Sequence, residues 1–579
     1  GANNVAVGRL ALGANTTGTH NTAVGSGALD ASTTGSDLTA VGYNVLGANT
    51  TGYSNVGVGG SATYLAAALS TNTTGYGNTG VGSGAMAGTT TGSANVAMGR
   101  QAMYANTTGS NNVAVGDSAL DANTTASSNT AVGWGSLGVN TTGAQNTAVG
   151  RNAMDANTTA ANNVAVGYEA MTANTTGTAN VTVGAHSMQA NTTASNNTAV
   201  GYFSLAANTT GTGNNTLGYQ SLDANTTGSY NTAMGHVALT ANTTAADNTA
   251  FGGQAMYATT TGAKNTGIGS QALYANTTGA ENTAVGYQAL DANTTGTRNT
   301  ALGHGALSAL VGGYHYNVAI GYNALAVSTV NTGNVAIGAL AMDGLTSGSA
   351  TQCVAVGYAS MSGALAGYGN TALGDSTMTV ATSAFENTFI GRNSGVTLTT
   401  GDNNVALGSY AGDVVTTGSN NVLIGYDAGS DALGAITTVS NYIMLGNNST
   451  ANAEIKVDWT VGSDQRDKTD IETLPDNAGL NFVNQMRPVT YVFDNRDQYY
   501  PYGHAQYGER DHSKKATEKQ VGFIAQELKA IEESIGWSED HIVNTSNEQS
   551  YKMMYSQVIP ILTKAIQELA AKVQVLEDA

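Results

Sequence analysis

The chain has 579 residues and a formal net charge of −19, and only 10% of its residues are charged, against roughly a quarter in an ordinary soluble domain. The acidic balance disfavours DNA and anionic lipid surfaces as partners. The single cysteine, Cys353, excludes an intrachain disulfide, and no apolar run approaches the ~18 residues of a membrane span. Of the 19 Lys and Arg residues, 13 follow position 450, so two regions of different chemistry meet near residue 460.

Residues 1–446 consist of a repeat whose units end in glycine after segments such as "NTAVG". Gly8 and Gly25 are 17 residues apart, and the same step runs without interruption from Gly82 to Gly303. There are 26 such glycines, and steps of 23, 18, 19 and 21 residues interrupt the period. Self-similarity at a fixed period indicates a solenoid of stacked coils.

Each unit predicts two short extended pieces and two turns. The "NTAV" segment alternates like a strand, and the Val or Met before the glycine, as in Val132 and Met98, is its main apolar residue. A second extended piece ends in a Leu or Met four residues after the glycine, as in Leu120 and Met154, and "ANTTG" is turn chemistry. We expect stacked coils to bury these Val and Leu side chains around small Ala residues, with Asn and Thr ladders between the layers.

The repeat resembles two kinds of extracellular fibre. "NTAVG" and "NVAIG" resemble the "SVAIG" repeats in the head domains of trimeric bacterial adhesins, which are β-rolls assembled as parallel trimers. The longer unit with "ANTTG" is similar to repeat stretches in phage tail fibres. The resemblance implies an all-β repeat solenoid, a trimeric β-roll shaft, over residues 1–446, and residues 447–462 are left as a connector.

Aromatic residues recur directly after the repeat glycine and would form a broken stripe along the shaft. Such stripes can bind sugar rings, and the alternative is packing at edges or between protomers. The candidate glycan-binding residues are Tyr43, Trp134, Tyr168, Tyr202, Tyr219 and Tyr287.

Acidic residues recur five positions after the glycine. These residues are Asp30, Asp121, Asp155, Asp223 and Asp291. They are dispersed rather than clustered, which favours solvated turns over the paired carboxylates of a glycan-cleaving site. We predict no metal site and no cofactor.

Residues 463–579 are typical of a small α/β domain. Its predicted elements are a helix over 478–486, a strand over 488–493 and a helix over 525–536 that ends at Gly536. The final segment carries an apolar seam at alternating steps of four and three residues: Tyr555, Ile559, Leu562, Ile566, Leu569, Val573 and Leu576. This heptad pattern predicts a coiled coil and self-association, although it does not fix the number of chains.

Three motifs in this domain resemble the C-terminal intramolecular chaperone of phage tail spikes, tail fibres and endosialidases. They are "SDQRDK" at 463–468, "VGFIAQEL" at 521–528 and "MMYSQVIPILTKAIQEL" at 553–569. The resemblance implies a trimeric folding aid that removes itself by cutting the bond before its first serine. The polar, Tyr-rich segment 497–515 is our candidate for the arm-like protrusions of such chaperones, and the alternative is a disordered surface loop.

Carried over by this resemblance, Ser463 is the nucleophile, Lys468 is its general base and Gly462–Ser463 is the scissile bond. A serine hydroxyl needs a base, and a desolvated lysine can supply one. Positions five apart do not share a face of a regular helix, so the segment is a loop or turn, or the lysine serves a neighbouring chain. Alternatively, Ser463 caps a helix and Lys468 is a solvated charge.

Together these features predict a phage tail fibre with a structural and adhesive role, located in the virion outside the cell. Its expected partners are two further copies of itself, a host cell-surface glycan or protein receptor, and other tail proteins through an upstream region, since the chain begins at Gly1 rather than Met. Autoproteolysis on its own chain is the only catalysis expected. The alternatives are a non-viral secreted trimeric adhesin or surface filament, and a glycan depolymerase, which would need an acid cluster.

Overall fold

The computed structural model describes residues 1–60, 65–329, 331–345, 350–363, 366–430, 436–447, 449–450, 463, 465–494, 499, 506, 509–513, 515–545 and 551–579. The chain divides into two compact units, Gly1–Gln352 and Cys353–Ala579. Most of the predicted connector at 447–462 lies outside the described residues. The proposed boundaries between shaft, connector and C-terminal domain therefore remain predictions.

The repeat forms a parallel β-solenoid, as predicted. Each unit contributes one three-residue strand, and within each compact unit a strand pairs in parallel with the next, as Val113 does with Thr130. Strands β1 to β20 of the first compact unit are Val5–Val7, Thr22–Val24, Thr39–Val41, Val56–Val58, Thr79–Val81, Val96–Met98, Val113–Val115, Thr130–Val132, Thr147–Val149, Val164–Val166, Val181–Val183, Thr198–Val200, Asn215–Leu217, Thr232–Met234, Thr249–Phe251, Thr266–Ile268, Thr283–Val285, Thr300–Leu302, Val318–Ile320 and Val335–Ile337. Strands β21 to β26 of the second are Val354–Val356, Thr371–Leu373, Thr388–Ile390, Val405–Leu407, Val422–Ile424 and Ile443–Leu445.

The glycine that ends each strand allows the coils to stack closely. Gly116 has φ = 138°, and a Cβ atom built on it would lie 2.5 Å from the carbonyl oxygen of Gly133 in the next coil. Both the backbone conformation and this contact exclude a side chain. The glycine period seen in the sequence is therefore the period of the coils.

The strand residues that face the interior and those that face outward are the reverse of the prediction. The middle residue is the one that faces the interior, and Ala131 is fully buried. The residue before the glycine points outward, so that Met98 is 46% and Leu302 is 45% exposed. Leu120 and Met154, four residues after their glycines, are fully buried as expected. The interior is therefore built from Ala and Leu or Met, and the Val column lies outside it.

The inner positions complement one another in volume. A Cβ atom on Gly80, which occupies the middle strand position, would lie 3.3 Å from Cγ of Leu69, so little more than a methyl group fits there. Near the end of the shaft the sizes are exchanged. Phe389 takes the strand position and Gly395 takes the turn position, where a Cβ atom would lie 2.4 Å from the Phe389 ring. The core keeps its packing by pairing a large residue with a small one.

The prediction of a second extended piece in each unit is wrong. The segment after the glycine is a turn, and its buried Leu or Met has a left-handed backbone, with φ = 55° at both Leu120 and Met154. Such a conformation costs about 1–3 kcal/mol in a non-glycine residue. Burying the side chain contributes about 1.5–3 kcal/mol, which offsets that strain.

Two asparagine ladders run between the coils, as expected. The backbone N–H of Asn112 donates to Oδ1 of Asn95 at 3.0 Å, and its side-chain Nδ2 donates to the carbonyl of Ala126 at 2.9 Å. At the turn corner, Nδ2 of Asn123 donates to Oδ1 of Asn106 at 2.9 Å. The first threonine of the corner instead donates to a backbone carbonyl of the next coil. Because these asparagines are fully buried, each lost partner would cost about 1–3 kcal/mol.

The second compact unit also contains a small α/β domain. Its helices are α1 (Leu480–Gln485), α2 (Ala525–Ser534) and α3 (Val558–Glu577). Strands β27 (Val489–Tyr491) and β28 (Gln520–Gly522) pair antiparallel, as do β29 (Val543–Asn544) and β30 (Lys552–Met553). Short 3-10 turns lie at Gln465–Asp467, Asp476–Ala478 and Tyr555–Gln557. The predicted helices and the predicted strand are thus confirmed, each within a few residues of its expected ends.

The domain has one apolar core, to which all three helices contribute. The core residues are Phe482, Leu528, Ile531, Ile542, Val543, Val558 and Ile561. Gly536, with φ = 88°, follows the end of α2 in the left-handed conformation that a helix stop requires. None of the helices in the described part of the chain is long and apolar enough to cross a membrane.

Candidate processing site and shaft surface

The predicted nucleophile and base are in contact within one chain. Nζ of Lys468 donates a hydrogen bond to Oγ of Ser463 at 2.7 Å. Both residues are exposed. Gly462, the residue before the expected scissile bond, lies outside the described residues. The structure therefore brings together the two side chains that the chemistry needs.

A tight turn explains how residues five apart meet. A 3-10 turn at Gln465–Asp467 separates them, and the N–H of Lys468 donates to the carbonyl of Gln465 at 3.2 Å. This chain reversal corresponds to the loop-or-turn arrangement that the sequence left open beside a lysine from a neighbouring chain. The alternative in which Ser463 caps a helix stays a prediction, because a 3-10 helix begins at Gln465 and Asp464 lies outside the described residues.

The segment that carries the nucleophile is tied to the domain over residues 474–480. Leu474 packs against the core, and Nδ2 of Asn477 donates to the carbonyl of Ile535 at 3.1 Å. The N–H of Leu480, at the start of α1, donates to Oε2 of Glu568 on α3 at 2.7 Å. The chain that follows the Ser463–Lys468 segment is thus held against the domain, and against α3 at the start of α1.

The pair Lys564 and Glu568 forms the α3 side of this anchor, and sequence reasoning missed it. Nζ of Lys564 lies 3.3 Å from Oδ1 of Asp476 and 3.6 Å from Oε1 of Glu568. A Cβ atom on Gly479 would lie 2.3 Å from Oε1 of Glu568, so a side chain at this position would displace that carboxylate. The i,i+4 spacing of Lys564 and Glu568 was visible, but their partners are 88 residues away in sequence.

Helix α3 presents two distinct faces. Val558, Ile561 and Ala565 are buried against the domain core. The seven predicted seam residues are all exposed, with Tyr555 in the 3-10 turn before α3 and the other six on a neighbouring face of the helix, where Ile566 is 67% exposed in the single chain. A seam of large aliphatic residues in water is the expected state of a coiled-coil helix without its partners.

The predicted aromatic stripe is a ladder whose rungs contact one another. Tyr219 stacks on Tyr202, with ring centroids 5.8 Å apart, and on His236, with centroids 5.3 Å apart. Earlier in the shaft, the guanidinium of Arg151 lies between Trp134 and Tyr168, at 5.0 Å and 5.7 Å from their ring centroids. The faces that a sugar would stack on are therefore partly occupied by neighbouring side chains.

Two of the candidate glycan-binding residues have small residues at adjoining corner positions, although their exposed fractions match those of the ladder tyrosines. Tyr43 is half exposed and occupies the same corner position as Ser26 and Gly60 of the adjoining coils. Tyr287 contacts His304 on one side, at a centroid distance of 5.2 Å, and the corresponding residue on its other side is Ser270. These two tyrosines are the better candidates for ring stacking.

The column of acidic residues is less exposed than predicted. Burial raises the pKa of Asp155 and Asp223, and burial together with the nearby Asp117 raises the pKa of Asp121. One carboxylate oxygen of Asp121 is buried without a hydrogen-bond partner. These residues are half-buried rather than solvated, since the neighbouring coils above and below exclude water from them.

The predicted arm at 497–515 lies largely outside the described residues, but its base is visible. Asp494, with its side chain nearly buried, accepts hydrogen bonds from the hydroxyl of Tyr499 at 2.7 Å and from the ring of His512 at 2.5 Å. These contacts lower the pKa of Asp494. One carboxylate thus ties together the two ends of the segment.

Comparison with known proteins finds one family that part of the small domain resembles. The model of the family described as Chaperone of endosialidase matches residues 463–537. A search of the curated proteins finds no match to the chain. The matched segment begins at Ser463 and spans α1, β27, β28 and α2. It supports the predicted intramolecular chaperone, and this family implies trimerisation.

Proposed function

We propose that the chain is a homotrimeric phage tail fibre whose solenoid shaft assembles with the help of its C-terminal domain, which then cuts itself off at Gly462–Ser463. The hydrogen bond between Ser463 and Lys468, at the first residue of the segment that matches the chaperone family, carries the proposal. The role of the assembled fibre is structural and adhesive, and its site is the virion.

The cleavage follows from the chemistry of the two side chains. The neutral amine of Lys468 takes the proton from Oγ of Ser463, and Oγ attacks the carbonyl carbon of Gly462. The bond from this carbon to the Ser463 nitrogen breaks as that nitrogen receives the proton from lysine, which leaves an ester on Oγ. Water hydrolyses the ester to a Gly462 carboxylate and a free Ser463 hydroxyl.

Assembly provides a reason for the timing of this reaction. Ser463 and Lys468 are exposed in the single chain, whereas a lysine in general becomes a base only when desolvation lowers its pKa. Packing of three chains around the exposed α3 seam would bury surface near the domain. Cleavage would then follow trimerisation rather than precede it.

The Ser463→Ala variant tests the proposal directly. Wild-type protein is expected to yield two fragments whose masses correspond to cleavage before Ser463, and the variant is expected to remain full length. Thr469→Ala, an exposed neighbour of Lys468, is the control and should be cleaved normally. Mass spectrometry of the purified proteins distinguishes the outcomes, and continued cleavage in Ser463→Ala would exclude the proposed nucleophile.

For host attachment we propose a cell-surface glycan as the receptor, bound at free ring faces along the shaft. Tyr43 and Tyr287 support this, because the adjoining corner positions hold Ser26 and Gly60 beside Tyr43 and Ser270 on one side of Tyr287, rather than a stacked ring. Tyr287→Ala should weaken binding to host polysaccharide, while Tyr219→Ala, within the stacked rungs, should change it less. Equal binding by both variants and by wild type would refute this site, and shortened polysaccharide products would indicate a depolymerase instead.

A further inference from the structure

One face of the shaft is apolar, regular and uncovered. The first and third residues of strands β2 to β20 point away from the interior, and we call these two columns the outer strand face. Its third-residue column is Val, Leu, Ile, Met or Phe throughout, and Leu217 and Phe251 are 51% and 54% exposed. Its first-residue column is Thr or Val, apart from Asn215.

The outer strand face carries no charge, although the chain as a whole is strongly acidic. None of the shaft strands β1 to β26 contains an Asp, Glu, Lys or Arg residue. The charged residues of the shaft lie in the turns outside the strands, and some of them form pairs between coils. Examples are Arg100 with Asp117 at 2.8 Å and Arg298 with Glu281 at 2.7 Å. An uncharged centre with a charged rim is the composition of a protein–protein interface.

A parallel sheet is normally covered on both faces. In this shaft the inner face is covered by the turn residues, and Leu120 and Met154 are fully buried there. Within a single chain the outer face has no such cover over the described strands. The arrangement is incomplete unless another layer packs on it.

We propose that the outer strand face is the surface through which three copies of this chain pack against one another, side by side and parallel, along the shaft. The inference rests on the proposed trimer and specifies which face forms it. The surface repeats in every coil from β2 to β20, so its partner must repeat with the same spacing, and a second copy of the chain does so. The exposed seam on α3 independently indicates association with further copies of the chain.

This assignment gives different roles to neighbouring columns. The Val, Leu and Phe side chains before the glycine would lie at the centre of the trimer, where exclusion of water is complete. The ion pairs at the corners, such as Arg100 with Asp117, would lie at the rim, where they keep the negatively charged chains in a fixed orientation. The exposed second threonines of the "NTT" corners, Thr227 among them, would face solvent.

Disulfide trapping at matched positions tests the interface. The variants are Leu217→Cys, on the outer strand face, and Thr227→Cys, at the corner of the following coil. Both side chains are exposed in the single chain, so neither change should disturb the coil itself. After mild oxidation of the assembled protein, Leu217→Cys is expected to form covalent dimers on a non-reducing gel, and Thr227→Cys is expected to remain monomeric. Buried Cys353 is common to both variants.

Charge substitutions at the same positions give a second readout. Leu217→Lys should destabilise the trimer and raise the monomer fraction in native mass spectrometry, whereas Thr227→Lys should leave that fraction unchanged. If wild type is trimeric but Thr227→Cys crosslinks and Leu217→Cys does not, the face is wrongly assigned while the proposed function stands. If the wild-type protein is a monomer, both the proposed trimeric fibre and this interface are refuted. A trimeric Leu217→Lys protein that has lost binding to host polysaccharide would make this face a receptor site and overturn the inference.

Discussion

Half-buried carboxylates are the least expected residues of the shaft. Desolvation raises the pKa of Asp121, Asp155, Asp223 and Asp291. In sequence these aspartates stand among turn residues and predict solvated corners. Their burial comes from coils one period before and after, so it depends on the stacking of layers and is not visible in the local pattern.

These aspartates predict that the shaft is more stable in acid. Because the pKa of each carboxyl group is higher in the folded than in the unfolded state, the protonated groups favour folding. This contribution to stability is fully present below the unfolded-state pKa and is lost as the pH rises through the folded-state pKa. Asp121→Asn should therefore raise the melting temperature slightly at about pH 7 and leave it unchanged at about pH 3, where both side chains are neutral. Thermal melts at the two pH values measure this. Asp247→Asn, at an exposed corner, should show no such difference, and an equal response of the two variants would contradict the explanation.

Residue patterns predicted the coil but not which side of the strand faces inward. Strict alternation shows that Ala131 and Val132 lie on opposite faces, and the larger residue was assigned to the core. The structure assigns Ala to the core because the buried Leu or Met of the turn already fills the space. That turn residue has a left-handed backbone, which no propensity favours for Leu, so the compensation between the two positions could not be read from either one alone.

At the scale of elements, one face of α3 was predicted from the sequence and the other was not. Its heptad seam follows from spacing alone, and every seam residue is exposed as an unpartnered coiled coil requires. Its second face places Val558 and Ile561 in the domain core and brings Glu568 against the start of α1. These contacts join residues up to 88 positions apart, so the sequence pattern of the helix does not reveal them. One helix thus connects self-association to the processing segment.

We predict that Glu568→Ala slows self-cleavage without preventing trimer formation. The substitution removes the acceptor for the Leu480 N–H and should cost the domain about 1–2 kcal/mol, while alanine preserves the helix that carries the seam. Gel analysis of the cleaved fraction over time, together with native mass, measures both effects.

Gln567→Ala, an exposed neighbour on the same helix, is the control and should be cleaved like wild type. Cleavage of Glu568→Ala at the wild-type rate would show that the anchor does not position Ser463. Loss of trimers in Glu568→Ala alone would show that the residue acts on assembly instead.

At the scale of the whole molecule, the central difficulty is that the coils are nearly identical. Three chains shifted by one coil would keep almost every contact along the outer strand face and lose only the layers at the ends. Register is weakly specified by such a surface. A terminal domain with its own seam can align the chains before the shaft closes, and its removal afterwards makes the assembled state kinetically stable.

The most direct test of this account is a chain truncated after Val461, compared with the full-length protein. Native mass spectrometry and the length distribution in electron micrographs report whether the shafts are trimeric and in register. We expect the truncated chain to give monomers, aggregates or shafts of mixed length, and the full-length chain to give uniform trimers. Uniform, full-length trimeric shafts from the truncated chain would contradict the claim that the C-terminal domain sets the register.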